Sequence, residues 1–190
     1  MVEKFQNKYR IASARLQSWD YGSNGLYFVS ICTKDREHYF GEIIDGKMQL
    51  SEIGKNAQKY WCEIPEHFPF VILDEFVVMP NHLHGIVIIN KTNDGNNGNQ
   101  SVAVETPNLD VSTDTDNNCR TAAATKKWKS GTLGVIINQY KRIVCIESRE
   151  IHADFAWQSR FHDHIIRNNV SYQNIRNYII NNPKKWQEEK

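Results

Sequence analysis

His82 and His84 stand two residues apart inside the apolar run Val77-Val78-Met79-Pro80-Asn81-His82-Leu83-His84-Gly85-Ile86-Val87-Ile88-Ile89. Residues i and i+2 of a strand share a face, so both imidazoles point one way and Leu83 points into the opposite layer. Such a pair is a chelate. Imidazole suits several divalent metals, and two ligands on a rigid strand leave other positions open for oxygen ligands and substrate. Tyr140, in Asn138-Gln139-Tyr140-Lys141-Arg142, is a candidate nucleophile. A phenol attacks poorly at its ordinary pKa of about 10, but a divalent ion on a neighbouring phosphate makes the phosphorus more electrophilic. The product would be a phosphotyrosine link to DNA. The alternative role of Tyr140 is helix-to-sheet packing.

The elements that must position these residues follow from pattern. Gly25 to Thr33 is rich in β-branched and aromatic types and predicts a first strand. Phe40 to Leu50 carries the turn signal Asp45-Gly46 and predicts a small hairpin. From Ser51 a capping residue opens a helix with Ile53, Ala57, Tyr60, Trp61 and Ile64 on one stripe, ending at Pro65. Phe70 to Met79 and His82 to Asn90 predict an antiparallel hairpin about Pro80-Asn81. Thr132 to Ser148 predicts a second helix whose apolar side is Leu133, Ile136, Ile137, Tyr140, Val144 and Ile146. Phe155 to Ile166 predicts a strand or strand-turn, and Ser171 to Asn181 a last helix stopped before Pro183.

This order is the ferredoxin-like βαββαβ pattern, an α+β sandwich of two helices on an antiparallel sheet, here with an extra C-terminal helix. The second helix is expected to cross the face that displays His82 and His84. Residues 1–24 are expected to form an N-terminal extension and 25–186 a single domain. Lys91 to Asp116, poor in large apolar residues, is expected to be a disordered insertion.

The 190 residues are 40% apolar, which suits one domain with a sizeable core. No run of eighteen apolar residues and no secretory leader is visible, so a cytoplasmic protein is expected. Cys32, Cys62, Cys119 and Cys145 are widely spaced, which argues against a disulfide framework or a structural zinc site. The net charge of +1 conceals an asymmetry. Asn117 to Ile146 holds six basic residues (Arg120, Lys126, Lys127, Lys129, Lys141, Arg142) and no acid, and Trp157 to Trp186 holds five basic residues against Asp163 alone. With Trp128, Trp157, Tyr172, Tyr178 and Trp186 interleaved, this half can neutralise phosphates and stack on unpaired bases. Solvated helix faces over core aromatics would read the same way.

Three blocks, Val78 to Gly85, Leu133 to Arg142, and Trp157 to Arg167 followed by Tyr178-Ile179-Ile180-Asn181-Asn182-Pro183, resemble the single-tyrosine HUH transposases, particularly the REP-associated tyrosine transposases. The resemblance spans about Gly25 to Trp186. It implies a ferredoxin-like fold, Mg²⁺ or Mn²⁺ on His82 and His84, and Tyr140 as the helical tyrosine that cleaves single-stranded DNA beside a hairpin. Insertion-sequence relatives carry a glutamine four residues after the tyrosine, where this chain has Val144. A third ligand must come from elsewhere. If Pro80-Asn81 is a two-residue turn, Met79, Val77 and Glu75 share the face of the histidines, which makes Glu75 the candidate.

The expected function is therefore metal-dependent cleavage and strand transfer of single-stranded DNA at hairpin sites through a covalent 5′-phosphotyrosine. A nuclease using water and a non-catalytic hairpin-binding module are the alternatives. Lys127, Lys129, Lys141, Arg142, Arg160, Arg167 and Trp157 are the candidate DNA contacts, with a monomer favoured and a homodimer as the other option. His162-Asp163-His164 is a second histidine pair, read as a strand-to-helix segment near the DNA.

Overall fold

A computed structural model describes residues 4–5, 8–9, 16, 18–91 and 131–188. The expected insertion from Lys91 to Asp116, apart from Lys91, and the candidate contacts Lys127 and Lys129 lie outside the described residues. In chain order the elements are β1 (Lys4–Phe5), β2 (Lys8–Tyr9), β3 (Gly25–Cys32), β4 (Gly41–Ile44), β5 (Lys47–Leu50), α1 (Glu52–Cys62), α2 (Ile64–His67), β6 (Val71–Met79), β7 (His82–Ile89), α3 (Leu133–Ile151), β8 (His162–Ile166) and α4 (Asn169–Glu188).

Four strands form one antiparallel sheet in the order β6-β7-β3-β8. Each helical crossover, α1 from β3 to β6 and α3 from β7 to β8, skips one strand, which is the ferredoxin-like arrangement expected. Both crossovers obey one handedness, so both helices land on the same face. There Tyr27, Val29, Ile31, Leu83, Val87 and Ile89 meet Ile53, Ala57 and Trp61 of α1 and Leu133, Ile136, Ile137, Tyr140 and Val144 of α3. On the other face Leu26, Ile86, Ile88 and Ile166 pack against Tyr172 and Ile179 of α4. Since β7 is buried on both faces along its whole length, its side chains are divided between two different packing layers.

Local chemistry explains the element ends. Ser51 caps α1 by accepting from the Gly54 amide at 3.0 Å, and Asn168 caps α4 by accepting from the Ser171 amide at 2.8 Å. The β4–β5 turn uses Asp45 and Gly46 at positive φ, as a two-residue hairpin loop requires. Pro65 does not simply end the helical region: it sits in the first turn of the short α2, where its missing N–H costs no bond. Pro183 likewise fails to stop α4, which continues to Glu188 and so carries Trp186 to 5.7 Å from His82, ring centre to ring centre. Residues just before β3 join the domain: Trp19 Nε1 donates to Tyr27 Oη at 3.1 Å and the Leu133 amide donates to Tyr21 O at 2.9 Å.

Gly85, directly after the second histidine, faces Trp61 of α1. A Cβ there would lie 2.4 Å from Trp61 Cζ2 and 3.1 Å from Phe76 Cβ. Gly85→Ala is therefore expected to destabilise the fold by about 1–3 kcal/mol through overpacking, read as a lower urea midpoint.

Candidate active site

The histidine pair is positioned by the hairpin that precedes it. Met79 pairs with His82 and Val77 with His84, so Pro80-Asn81 is the two-residue turn expected. Two backbone bonds fix that turn: the Thr33 amide donates to Asn81 O at 2.9 Å and the Phe40 amide to Pro80 O at 3.0 Å. Both imidazoles project to the α4 face, 4.4 Å apart by ring centres. Each residue is only 6% exposed.

Hydrogen bonding assigns the tautomer of His82. The Asn81 carboxamide donates from Nδ2 to Arg36 O at 3.1 Å, so its Oδ1, 2.7 Å from His82 Nδ1, accepts. His82 therefore carries its proton on Nδ1 and presents the Nε2 lone pair, the outer-shell arrangement common for a metal-bound imidazole. His84 Nε2 lies 3.2 Å from the hydroxyl of Tyr178, and its buried Nδ1 has no protein partner. Burial lowers the pKa of His82 to about 4, aided by the Arg36 charge. That of His84 falls to about 3, through burial first and then His82, His162 and Arg36. Both rings are thus neutral near pH 7, the form that ligates metal.

These lowered values have a consequence for stability. The unfolded chain protonates its histidines near pH 6.5, whereas the folded chain resists, so below pH 6.5 the unfolded state binds more protons. Stability of the metal-free protein is expected to be full above pH 6.5 and to decline as pH falls toward 4. Urea titrations in EDTA check this; the decline is expected to be shallower in His84→Asn.

Tyr178 projects from α4 over the pair. Its ring centre is 5.3 Å from that of His84 and 6.2 Å from that of Phe28, which itself stacks on His84 at 5.3 Å. Tyr178 as a whole is 42% exposed. An open cleft of about 630 Å³ adjoins it, lined by Phe28, His162, His164, Asn168, Asn174 and Tyr178 among others. The second histidine pair belongs to β8, where His162 is in register with Ser30 and His164 with Phe28, so it shares the face of His82 and His84.

The placement of Tyr140 corrects the sequence-based assignment. Its residue is 3% exposed on the opposite side of the sheet, where its hydroxyl donates to Ala57 O at 3.0 Å and its ring lies edge-on to Trp61 at 5.2 Å. Burial raises its pKa well above 10. The reason is topological: α3 covers the Leu83 face, and the intervening sheet separates its tyrosine from the histidines. Trp157, a candidate DNA contact, is half-buried: its indole packs against Phe40, Tyr140 and Phe155 and donates from Nε1 to Lys141 O at 3.0 Å. Lys141 bonds the carbonyls of Gln158 and Arg160, both at 2.8 Å, and so braces the chain entering β8. Arg142 and Arg160 are exposed, and Arg142 is carried by α3. Arg167 borders the α4 face, lining a second cleft with Tyr21, His164 and Ser171.

Glu75 is corrected in part. It reaches the α4 side, but a β-bulge between Leu73 and Phe76 interrupts the register there, and its Oε2 faces Arg176 Nε at 3.5 Å. Among the described residues no group of three or more His, Cys, Asp or Glu side chains is arranged to hold a metal. Sequence reasoning read Tyr178 and Trp186 as base-stacking aromatics and not as neighbours of the histidine pair, and it missed Arg36 and Asn81. The signal for Tyr178 was its place in the last helix, the one helix left to cover a strand face carrying two histidines.

No family model matches the chain. An uncharacterized protein of Haemophilus influenzae is 38% identical over 178 residues, covering 93% of this chain and 90% of that protein. Among solved structures, a REP-associated tyrosine transposase bound to a REP hairpin is similar in fold, with a TM-score of 0.56 and 16% identity, over 92% of this chain and 74% of that one. Among the described residues no helix is long and apolar enough to cross a membrane.

Proposed function

Given that the chain belongs to the same family as the uncharacterized Haemophilus influenzae protein, we propose that it is a metal-dependent tyrosine transposase-type enzyme that nicks and rejoins single-stranded DNA beside a hairpin, with Tyr178 as the nucleophile. The observation that carries this reading is the 3.2 Å approach of the Tyr178 hydroxyl to His84 Nε2 on a histidine pair that is neutral at physiological pH. The shared fold with a transposase bound to a hairpin supports the choice of DNA hairpin as substrate.

His82 and His84 fit a divalent ion: one offers Nε2 with its other nitrogen locked by Asn81, and the other has a buried nitrogen without a protein partner. Bound there, Mg²⁺ or Mn²⁺ supplies Lewis-acid polarisation of a phosphodiester oxygen. The chain's own residues do the rest. Asn81 holds the His82 tautomer, Phe28 supports the His84 ring, and α4 delivers the Tyr178 oxygen beside them. Attack by that oxygen forms a Tyr178–phosphorus bond and breaks the P–O3′ bond, with the phenolic proton ending on the released 3′-hydroxyl. The 5′-phosphotyrosine keeps the energy of the broken diester, so another 3′-hydroxyl can reverse the step and join a new strand without ATP. Arg167, which lines the neighbouring cleft, and the exposed Lys184 and Lys185 of α4 are the basic side chains this reading assigns to the DNA backbone.

The test is incubation of the protein and Mn²⁺ with end-labelled single-stranded hairpin oligonucleotides, followed by a denaturing gel. A DNA-labelled protein band is expected from the wild type. Nicked DNA with no such band, persisting in Tyr178→Phe, would instead identify a hydrolase.

A further inference from the structure

Arg176 and Tyr178 lie two positions apart in α4, so they project about 200° from each other around the helix axis. They flank the apolar stripe of Tyr172, Ile175 and Ile179 on opposite edges. On the Tyr178 edge are the histidines. On the other edge is the β6 bulge, which brings two successive carboxylates, Asp74 and Glu75, toward the helix. Each has a partner on α4: the Tyr172 hydroxyl donates to Asp74 Oδ2, and Arg176 Nε lies 3.8 Å from Asp74 Oδ1 and 3.5 Å from Glu75 Oε2. Both acid side chains are only 14% exposed, and burial raises the Glu75 pKa despite the neighbouring guanidinium.

We infer that the Asp74–Glu75 bulge, Tyr172 and Arg176 form a latch that fixes the roll of α4 on the sheet and so sets the reach of the Tyr178 oxygen toward His84, making Arg176 a positioning residue for the reaction proposed above, on which this inference rests. An apolar stripe on an apolar sheet face resists separation more than rotation, because the hydrophobic effect is non-directional. Charged and hydrogen-bonded contacts supply the missing direction. At a side-chain radius of about 5–6 Å, a roll of about 20° moves the nucleophile by about 2 Å. Misplacement by about 1 Å can cost about 100-fold in rate. Bulges beside active sites re-aim side chains, and this one aims two acids at one helix. Glu75 thereby acts on the helix that carries the nucleophile and not as a ligand of the histidine pair.

The experiment measures first-order adduct formation on a labelled hairpin oligonucleotide at saturating Mn²⁺, together with hairpin and Mn²⁺ affinities. Arg176→Met is expected to slow adduct formation by about 10- to 100-fold with both affinities unchanged, and Arg176→Lys to restore part of the rate. Tyr172→Phe, which removes one hydroxyl, is expected to lower the rate in the same way and serves if Arg176→Met does not fold. Amide exchange across 169–188, measured without DNA, is expected to accelerate in either variant. Unchanged rates in the folded variants, or a loss confined to hairpin affinity, would overturn the latch. Absence of any adduct from the wild type would instead defeat the nucleophile assignment; unaccelerated exchange in α4 would then overturn the anchoring on its own.

Discussion

Tyr178→Phe is expected to reduce the covalent DNA–protein product to background, whereas Tyr140→Phe leaves it in place. The two tyrosines differ in everything that matters for attack on a phosphate. Tyr178 is 42% exposed, with its oxygen 3.2 Å from a histidine nitrogen; Tyr140 is 3% exposed across the sheet, bonded to Ala57 O. Removing the Tyr140 hydroxyl deletes a buried hydrogen bond to a carbonyl that α1 also engages through its own backbone, which costs about 0.5–1.5 kcal/mol of stability. Urea unfolding should therefore register Tyr140→Phe and hardly notice Tyr178→Phe, the reverse of their order in adduct assays. This crossed pattern separates a nucleophile from a packing residue.

The second large effect concerns metal. With Mn²⁺ at about 100 times its Kd, the wild type should gain about 2.7 kcal/mol of stability, since binding to the folded state alone shifts unfolding by mass action. His82→Ala and His84→Ala should each lose most of that gain, and EDTA should abolish adduct formation by the wild type. Because both histidines are already neutral at pH 7, binding requires no costly deprotonation there, and the stabilisation should persist down to about pH 5 before protons compete. Thermal unfolding at fixed Mn²⁺ across that pH range checks both the ligands and their lowered basicity.

The fold was readable because its local signals agree with one another. Ser51 caps where a helix starts, Asp45-Gly46 turns where two short strands meet, and the alternation through His82-Leu83-His84 divides β7 between two layers. The position of Tyr140 follows from periodicity, which points away from the histidines. Tyr140 falls in the apolar stripe with Ile136, Ile137 and Val144, which marks it for the core, and Leu83 already required the crossover helices on the face away from the histidines. Tyr178 lies beside, not within, the stripe of Tyr172, Ile175 and Ile179. Pattern reasoning put Glu75 on the α4 side, where it lies, but its pairing with Arg176 was out of reach, since counting by twos back from Met79 meets a bulge that no residue type announces. At Pro183 the local rule fails: a proline inside a helix removes one donor and crowds the preceding turn, yet α4 runs through it and places Trp186 beside His82.

The most direct measurement is to map the DNA-linked residue. After Mn²⁺-dependent reaction with a labelled hairpin oligonucleotide, nuclease trimming and trypsin digestion, mass spectrometry should find the nucleotide on the peptide that begins at Asn177 and contains Tyr178. Attachment to the peptide containing Tyr140, or to any residue off α4, would contradict the assignment of Tyr178 as the residue that attacks DNA.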